Sequence, residues 1–359
     1  MTKYIGVMSG TSLDGIDVAL CEVDENNCTL LCAHEYPFSQ DLKDEILTVI
    51  NGQTTLQTIG EIDVKLANIY TDAINSFIEQ YQINKDEVVA IGLHGQTLWH
   101  SPESQYPFSL QLGSASIVAT HTNIDVVNDF RSKDIANGGQ GAPFAPAFHK
   151  FIFGKMDKNI AVVNIGGMAN ITLLGKNYLG WDSGCGNVLL DYMSNKIQNK
   201  NYDSNGEFAQ SGQVIQVLLD DMLSDPYFEK KPPKSTGREY FNPTWLAHYL
   251  NNHIGIRDAD IQATLTELTA RTIVKDLNDV EEIILCGGGA KNVYLVKRIK
   301  ELSQKEVKTS SEHGVDSNFL EAMIFAWLAY KRVHKLPVEL KEITGTVKNS
   351  ILGTITCSN

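Results

Sequence analysis

Residues 3–20 read KYIGVMSGTSLDGIDVAL, and residues 159–174 read NIAVVNIGGMANITLL. Each is an apolar run, a turn bearing glycine, and a second apolar or alternating run, the pattern of a β-hairpin. In the first, Lys3–Met8 and Ile16–Val23 flank Ser9-Gly10-Thr11-Ser12-Leu13-Asp14-Gly15; in the second, Asn159–Ile165 and Ile171–Leu174 flank Gly166-Gly167. Each stretch is followed later by a strand that runs into a polar, glycine-bearing loop: EVVAIGLHGQT at 87–97 and EEIILCGGGAKN at 281–292. Two similar units in the same order predict a duplicated fold with two lobes. Strand-like runs alternate with helix-like ones throughout, notably at Val188–Ile197 and Asn292–Leu302, so the class is α/β. Asp134–Pro146 (DIANGGQGAPFAP) is rich in glycine and proline and reads as a hinge, with Gly138, Gly139 and Gly141 either absorbing a lobe closure or touching a ligand.

Composition narrows the classes. The 359 residues carry 43 acidic against 30 basic side chains, a formal charge of −13. Such a charge repels nucleic acid and anionic membrane unless a basic patch intervenes, and the densest basic run, Lys230-Lys231-Pro232-Pro233-Lys234, reads as a loop. An apolar share of 43% with 20% charged residues excludes disorder, collagen and coiled coil. The length favours two domains over one core. Six cysteines without CxxC pairs read as free thiols of a reducing compartment. No signal peptide and no apolar run of the ~18 residues needed for a membrane span are present, so the expected location is the cytoplasm.

Three glycine turns each follow a strand, where backbone N–H groups can approach a phosphate closely. None is a P-loop and none has the full dinucleotide fingerprint; singly, each reads as a tight turn. Together, two in matching halves and a third after a later strand suggest a nucleotide held from two walls. Asp182 lies in Trp181-Asp182-Ser183-Gly184-Cys185-Gly186-Asn187, before a helical run. It is either a first-turn acid or, with Asn187 better placed as the cap, a free general base. Glu321 is the one charged residue between Phe319 and Ala329 in the helix read over Asp316–Arg332. It either faces water or lies in a cleft. Asp125–Phe130 reads as a strand, followed by Arg131, a residue suited to gripping a carboxylate or phosphate. His94 and His100 have the wrong spacing for a zinc pair, and no GxSxG elbow occurs.

These segments resemble the anhydro-N-acetylmuramic acid kinase family, within the actin-like, hexokinase-like ATPase superfamily. The resemblance rests on GVMSGTSLDGID (6–17), HGQT (94–97), FRSKDIANGGQGAP (130–143), NIGGMAN (164–170), WDSGCGN (181–187), PPKSTGRE (232–239), LCGGGAKN (285–292) and DSNFLEAMIFAWLA (316–329). The family more often reads DTGPGN where this chain has Asp182-Ser183-Gly184-Cys185-Gly186-Asn187; a hydroxyl is kept, and the cysteine loosens the loop.

The resemblance implies two RNase H-like lobes around a central cleft: an N-terminal lobe over 1–130 with a return near 345–359, and a C-terminal lobe over 131–344. It implies ATP and Mg²⁺ as cofactors. Gly10, Thr11, Ser12, Leu13, Asp14, Gly15, Ile16 and Asp17 would form the first phosphate loop. Asn164, Gly166 and Gly167 would belong to the second, and Gly287, Gly288, Gly289 and Asn292 to the adenosine loop. Asp182 would be the catalytic base. Gln96, Thr97, Arg131 and Glu321 would hold the sugar, Arg131 through the lactyl carboxylate. No metal ligand is assigned; Asp14 and Asp17 are candidates for the outer shell of Mg²⁺. The implied reaction opens 1,6-anhydro-N-acetylmuramic acid with water and phosphorylates O6, in cell-wall recycling. Partners would be the amino sugar and ATP, with no nucleic acid or membrane and with a homodimer left open. The rivals are another sugar or carboxylate kinase of the superfamily and a non-catalytic ATP-binding switch.

Overall fold

The computed structural model describes all residues except 11–12, 53, 155–157, 177 and 233. Its strands are β1 (Thr2–Met8), β2 (Gly15–Val23), β3 (Cys28–Pro37), β4 (Val88–Leu93), β5 (Gln96–Ser101), β6 (Phe108–Leu112) and β7 (Val126–Asn128). They continue as β8 (Ile160–Ile165), β9 (Met168–Leu174), β10 (Leu179–Cys185), β11 (Glu282–Cys286), β12 (Glu306–Thr309) and β13 (Thr354–Thr356). The chain forms two compact units, residues 1–152 with 319–359, and residues 153–318.

The first unit holds a sheet in the order β13-β7-β4-β1-β2-β3, the second a sheet in the order β10-β9-β8-β11-β12. In both, three consecutive strands form an antiparallel meander, and the next strand joins parallel to the first of them. With the β13 edge set aside, the two orders are the same, the RNase H-like topology expected of each lobe. The third strand of each meander, β3 and β10, escaped the sequence reading, because neither is a clean apolar run.

Glycines on β1 and β4 decide where the last long helix packs. A Cβ on Gly6 would fall 1.9 Å from the Ala322 carbonyl oxygen, and one on Gly92 would fall 2.0 Å from that of Phe325. Helix Leu320–Val333 therefore lies directly on the first sheet, with Leu320 and every residue from Ala322 to Tyr330 buried. It starts later than the sequence suggests. Asp316 instead accepts from the Asn318 amide at 2.8 Å in the preceding turn, and Glu321 lies in the first turn.

The unit boundaries differ from the expected 130/131 and 344/345: residues 131–152 and 319–344 belong to the first unit. The physical reason is hydrogen bonding within that unit. The buried Asp134 carboxylate accepts from the Gly141 amide at 2.8 Å and the Thr344 hydroxyl at 3.0 Å. The Gln140 amide donates to the Thr344 carbonyl at 3.2 Å. The glycine-rich stretch is thus tied into one unit rather than lying at the junction, and Gly139 packs against the Asp134 carboxylate.

Candidate active site

In the first unit, the β1–β2 turn is held from below. The Leu13 amide bonds to the Gly10 carbonyl at 3.2 Å. Leu13 adopts φ 59° with its side chain 2% exposed, an uncommon backbone anchored by core packing. Ile16 is likewise a core residue. Ser9 Oγ lies 2.6 Å from the Tyr70 hydroxyl, and Gln96 Nε2 donates to the Gly10 carbonyl at 3.3 Å. Gln96 therefore sits beneath the loop, and its buried Oε1 has no partner among the described residues. Thr97 Oγ1 accepts from Gln111 at 3.2 Å. Thr11 and Ser12 lie outside the described residues.

Asp17, on β2, stands opposite Glu35 in the strand register. Burial, with Glu35, Glu321 and Asp14 as further negative charges, pushes its carboxyl up to about 7. The leading charges on Asp17 are thus carboxylates. Glu321 keeps exposed surface on its side chain, while the protein packed around it desolvates the carboxyl and raises its pKa, and Arg131 opposes that rise.

Arg131 is braced on several sides. Its Nη2 lies 2.8 Å from His94 Nε2, Nη1 donates to the Gly141 carbonyl at 3.0 Å, and the guanidinium carbon is 5.6 Å from the Phe144 ring centre. Burial lowers it to about 10, so it remains charged near neutrality. Its Nε is buried without a partner among the described residues. His94 packs at 4.7 Å on Phe325, and burial together with Arg131 pushes it down to about 3. It is a neutral acceptor for Arg131, a role its sequence position did not disclose.

In the second unit Asp182 lies within β10, opposite Asn170 on β9, rather than in a loop leading to a helix. A register shift between Asp182 and Gly184, with Gly184 at φ 153°, marks a bulge beside it. The Thr236 amide donates to its Oδ2 at 2.9 Å, its own amide donates to the Lys234 carbonyl at 2.9 Å, and its carbonyl accepts from the Tyr227 hydroxyl at 2.7 Å. Burial, with Glu239 adding repulsion, raises the carboxyl to about 6 against the Thr236 bond. Lys234 stacks 4.7 Å over the Tyr227 ring, and Thr236 Oγ1 is buried without a partner among the described residues. Tyr227, Lys234 and Thr236 were missed as site residues; for Lys234 and Thr236 the signal was the polar run after Pro232-Pro233, and nothing in the sequence marked Tyr227.

Asn187 does not cap its helix with its side chain. Its Nδ2 donates to the Ile165 carbonyl at 3.2 Å, and its amide donates to the Gly166 carbonyl at 2.8 Å, which fastens the β8–β9 turn. The third glycine loop divides by role. Gly287 has φ 77° with Asn164 against it. A Cβ on Gly289 would fall 2.3 Å from Ile165 Cγ2, so that glycine serves packing. Gly288 is exposed, with only Asn187 Nδ2 at 3.7 Å from its Cβ position. Asn292 caps helix Val293–Ser303 through the Leu295 amide at 3.0 Å. Above Gly167, the Arg238 guanidinium lies 3.5 Å from where a Cβ would stand.

Residues 2–358 match the family model described as anhydro-N-acetylmuramic acid kinase. The chain is 52% identical over 362 residues to the Sulfurimonas denitrificans protein of that name, covering 98% of each. It is 46% identical to the one from Pasteurella multocida, covering 98% of this chain and 96% of that one. Among solved structures, component A of the (R)-2-hydroxyglutaryl-CoA dehydratase of Acidaminococcus fermentans is similar at TM-score 0.50 and 14% identity. That alignment covers 93% of this chain and all of the other, a likeness of fold.

Proposed function

This chain belongs to the anhydro-N-acetylmuramic acid kinase family, and from that premise we propose how its own residues carry the reaction. It is an ATP-using sugar kinase, and the reading supported best is hydrolytic opening of 1,6-anhydro-N-acetylmuramic acid coupled to phosphorylation of O6. Asp182 takes a proton from the water that attacks C1. The new C1–O bond forms as the C1–O6 bond breaks, and O6 bonds to the γ-phosphorus while ADP leaves with the bridging oxygen. The Asp182 proton then passes to solvent.

The observation that carries this reading is Asp182 itself: a half-buried carboxyl aimed by a backbone N–H and raised to about 6, close to the pKa a base needs near neutrality. Arg131 suits the lactyl carboxylate, because its unpartnered Nε would gain a charge-assisted bond along the Nε–Nη2 edge. Gly288 is the adenosine-loop position with room for a ligand, whereas Gln96 supports the first phosphate loop from beneath.

The carboxylates around Asp17 fit Mg²⁺. The charges that act most on Asp17 are the carboxylates of Glu35, Glu321 and Asp14. That arrangement suits an ion that keeps its waters and takes few protein ligands. Asp17 and Asp14 would hold it through water, and when bound it neutralises phosphate charge. No helix among the described residues is long and apolar enough to cross a membrane, and the cysteines are free thiols, both in keeping with a cytoplasmic enzyme.

Mass spectrometry of the product formed in ¹⁸O-water tests the mechanism. Label at the anomeric hydroxyl, with none in the phosphate, is the expected result. Unlabelled product would refute coupled hydrolysis.

A further inference from the structure

The first unit contains a second concave site, a cavity of about 910 Å³, lined entirely by residues of 129–136, 332–337 and 348–354. Among the described residues its charged lining is four cations, Lys133, Arg332, Lys335 and Lys348, against the single acid Asp129. That is the reverse of the chain as a whole, where 43 acids outnumber 30 bases. Among the described residues none of the four pairs with a carboxylate within 4.0 Å, although most other ion pairs use lysines and arginines elsewhere. Concentrating like charge in a concave wall is unfavourable unless an anion offsets it, because low-dielectric walls focus the field.

The wall is pre-formed. Arg332 Nε donates to the Gly353 carbonyl at 2.8 Å, which fixes the guanidinium and leaves its two terminal nitrogens as donors. The 348–354 strip is fastened by the Val338 amide on the Ser350 carbonyl at 2.9 Å and by Asn137 Nδ2 on Ser350 Oγ at 3.2 Å. Asp129 and Lys335, both at the cavity, take left-handed backbones at φ 52° and 55°. Such conformations persist in non-glycine residues where the surroundings impose them, often at ligand sites.

We infer that this cavity binds a small molecule bearing phosphate groups, at a site separate from Asp182 and from the glycine loops. Three lysines and an arginine match several phosphate oxygens better than one carboxylate. An extended polyanion is disfavoured, because the cations are confined to a cavity on a chain of charge −13. The site also bears on sugar binding. Asp129 and Ser132 line both this cavity and a smaller one that also takes His94, and Arg131 lies between those two residues in the chain. An occupant of the basic cavity would press on the segment that carries Arg131.

The test is calorimetric titration of the full chain with inorganic phosphate and with pyrophosphate, the nucleotide site first saturated with a non-hydrolysable ATP analogue. One saturable event is expected, tighter for pyrophosphate. In the double variant Lys335→Gln/Lys348→Gln it should weaken at least about tenfold, as loss of two charge-assisted contacts requires. Melting temperature and kinase activity without added anion should stay unchanged in that variant. Should it melt lower, Lys133→Gln alone must show a loss of the same sign. Absence of binding to the wild-type chain, or binding undiminished in the variants, would overturn the inference.

Discussion

Asp182 carries two opposing demands at the residue scale. Burial favours its neutral form, the Thr236 amide favours the charged one, and burial prevails, leaving the carboxyl at about 6. A base works deprotonated, so kcat/KM should rise with pH through an acid limb near 6 and level off above it. Asp182→Asn should abolish that limb and cost about 10²–10⁴ in rate with little change in ATP affinity. The stability sign is worked from the same shift. Because the folded pKa lies above the unfolded one, ionisation opposes folding, so wild-type stability falls as pH rises through 6 while the Asn variant escapes that loss. Near-wild-type turnover in the variant, or melting curves of the two proteins that run parallel from pH 5 to 8, would remove this account. Arg131 and His94 form the other informative pair. His94 is held near 3, so it stays an uncharged acceptor across the working range and adds no step to the pH profile. Arg131→Lys keeps the charge and loses the fork; KM for the anhydro-sugar should rise about tenfold while ATP binding holds. His94→Phe, keeping the ring stack on Phe325, should raise the same KM by leaving Arg131 Nη2 without its acceptor while Nη1 keeps the Gly141 carbonyl, and an unchanged KM in steady-state kinetics would leave Arg131 indifferent to that brace.

Turns explain more than helices at the scale of elements. The three glycine loops look alike in sequence, yet the glycines of the third differ in what surrounds them. Gly289→Ala would place a methyl 2.3 Å from Ile165 Cγ2 in the core of the second unit, so it should destabilise by about 1–3 kcal/mol through overpacking. Gly288→Ala meets only Asn187 Nδ2 at 3.7 Å, so the fold should hold and ATP binding should weaken. Urea unfolding beside ATP titration separates the two, and a Gly288→Ala protein with unchanged ATP affinity would place the nucleotide elsewhere. The helix over Leu320–Val333 makes the same point from the other side. Its apolar run was legible, but its contact with the sheet depends on Gly6 and Gly92, residues in strands far away in sequence.

Net charge acts on the whole molecule. At −13 the chain repels itself, and salt screens that repulsion within about 10 Å at 0.1 M. Thermal melting should therefore move upward between low salt and physiological ionic strength; a downward shift would mean that the ion pairs around Glu267 and Glu282 outweigh the net charge. The repeat of a hairpin and a later strand in the two units was readable, because alternation and glycine turns are local properties that leave a periodic trace, whereas the third strand of each meander was not. The order of the loops was readable for the same reason, whereas Asp182, read in a glycine loop before a helix, lies in strand β10. What the sequence could not disclose depends on pairs distant along the chain. Thr236 aims Asp182 across 54 residues, His94 braces Arg131 across 37, and Thr344 fastens Asp134 across 210. Such partners are chosen by packing, which brings buried polar atoms together so that few are left without a bond. That same requirement drew residues 131–152 into the first unit, although their glycines and prolines read as a hinge. Local pattern thus determined which elements form and in what sequence they recur, while tertiary packing alone decided which glycines are open, which carboxylate is raised and which cations share one concave wall.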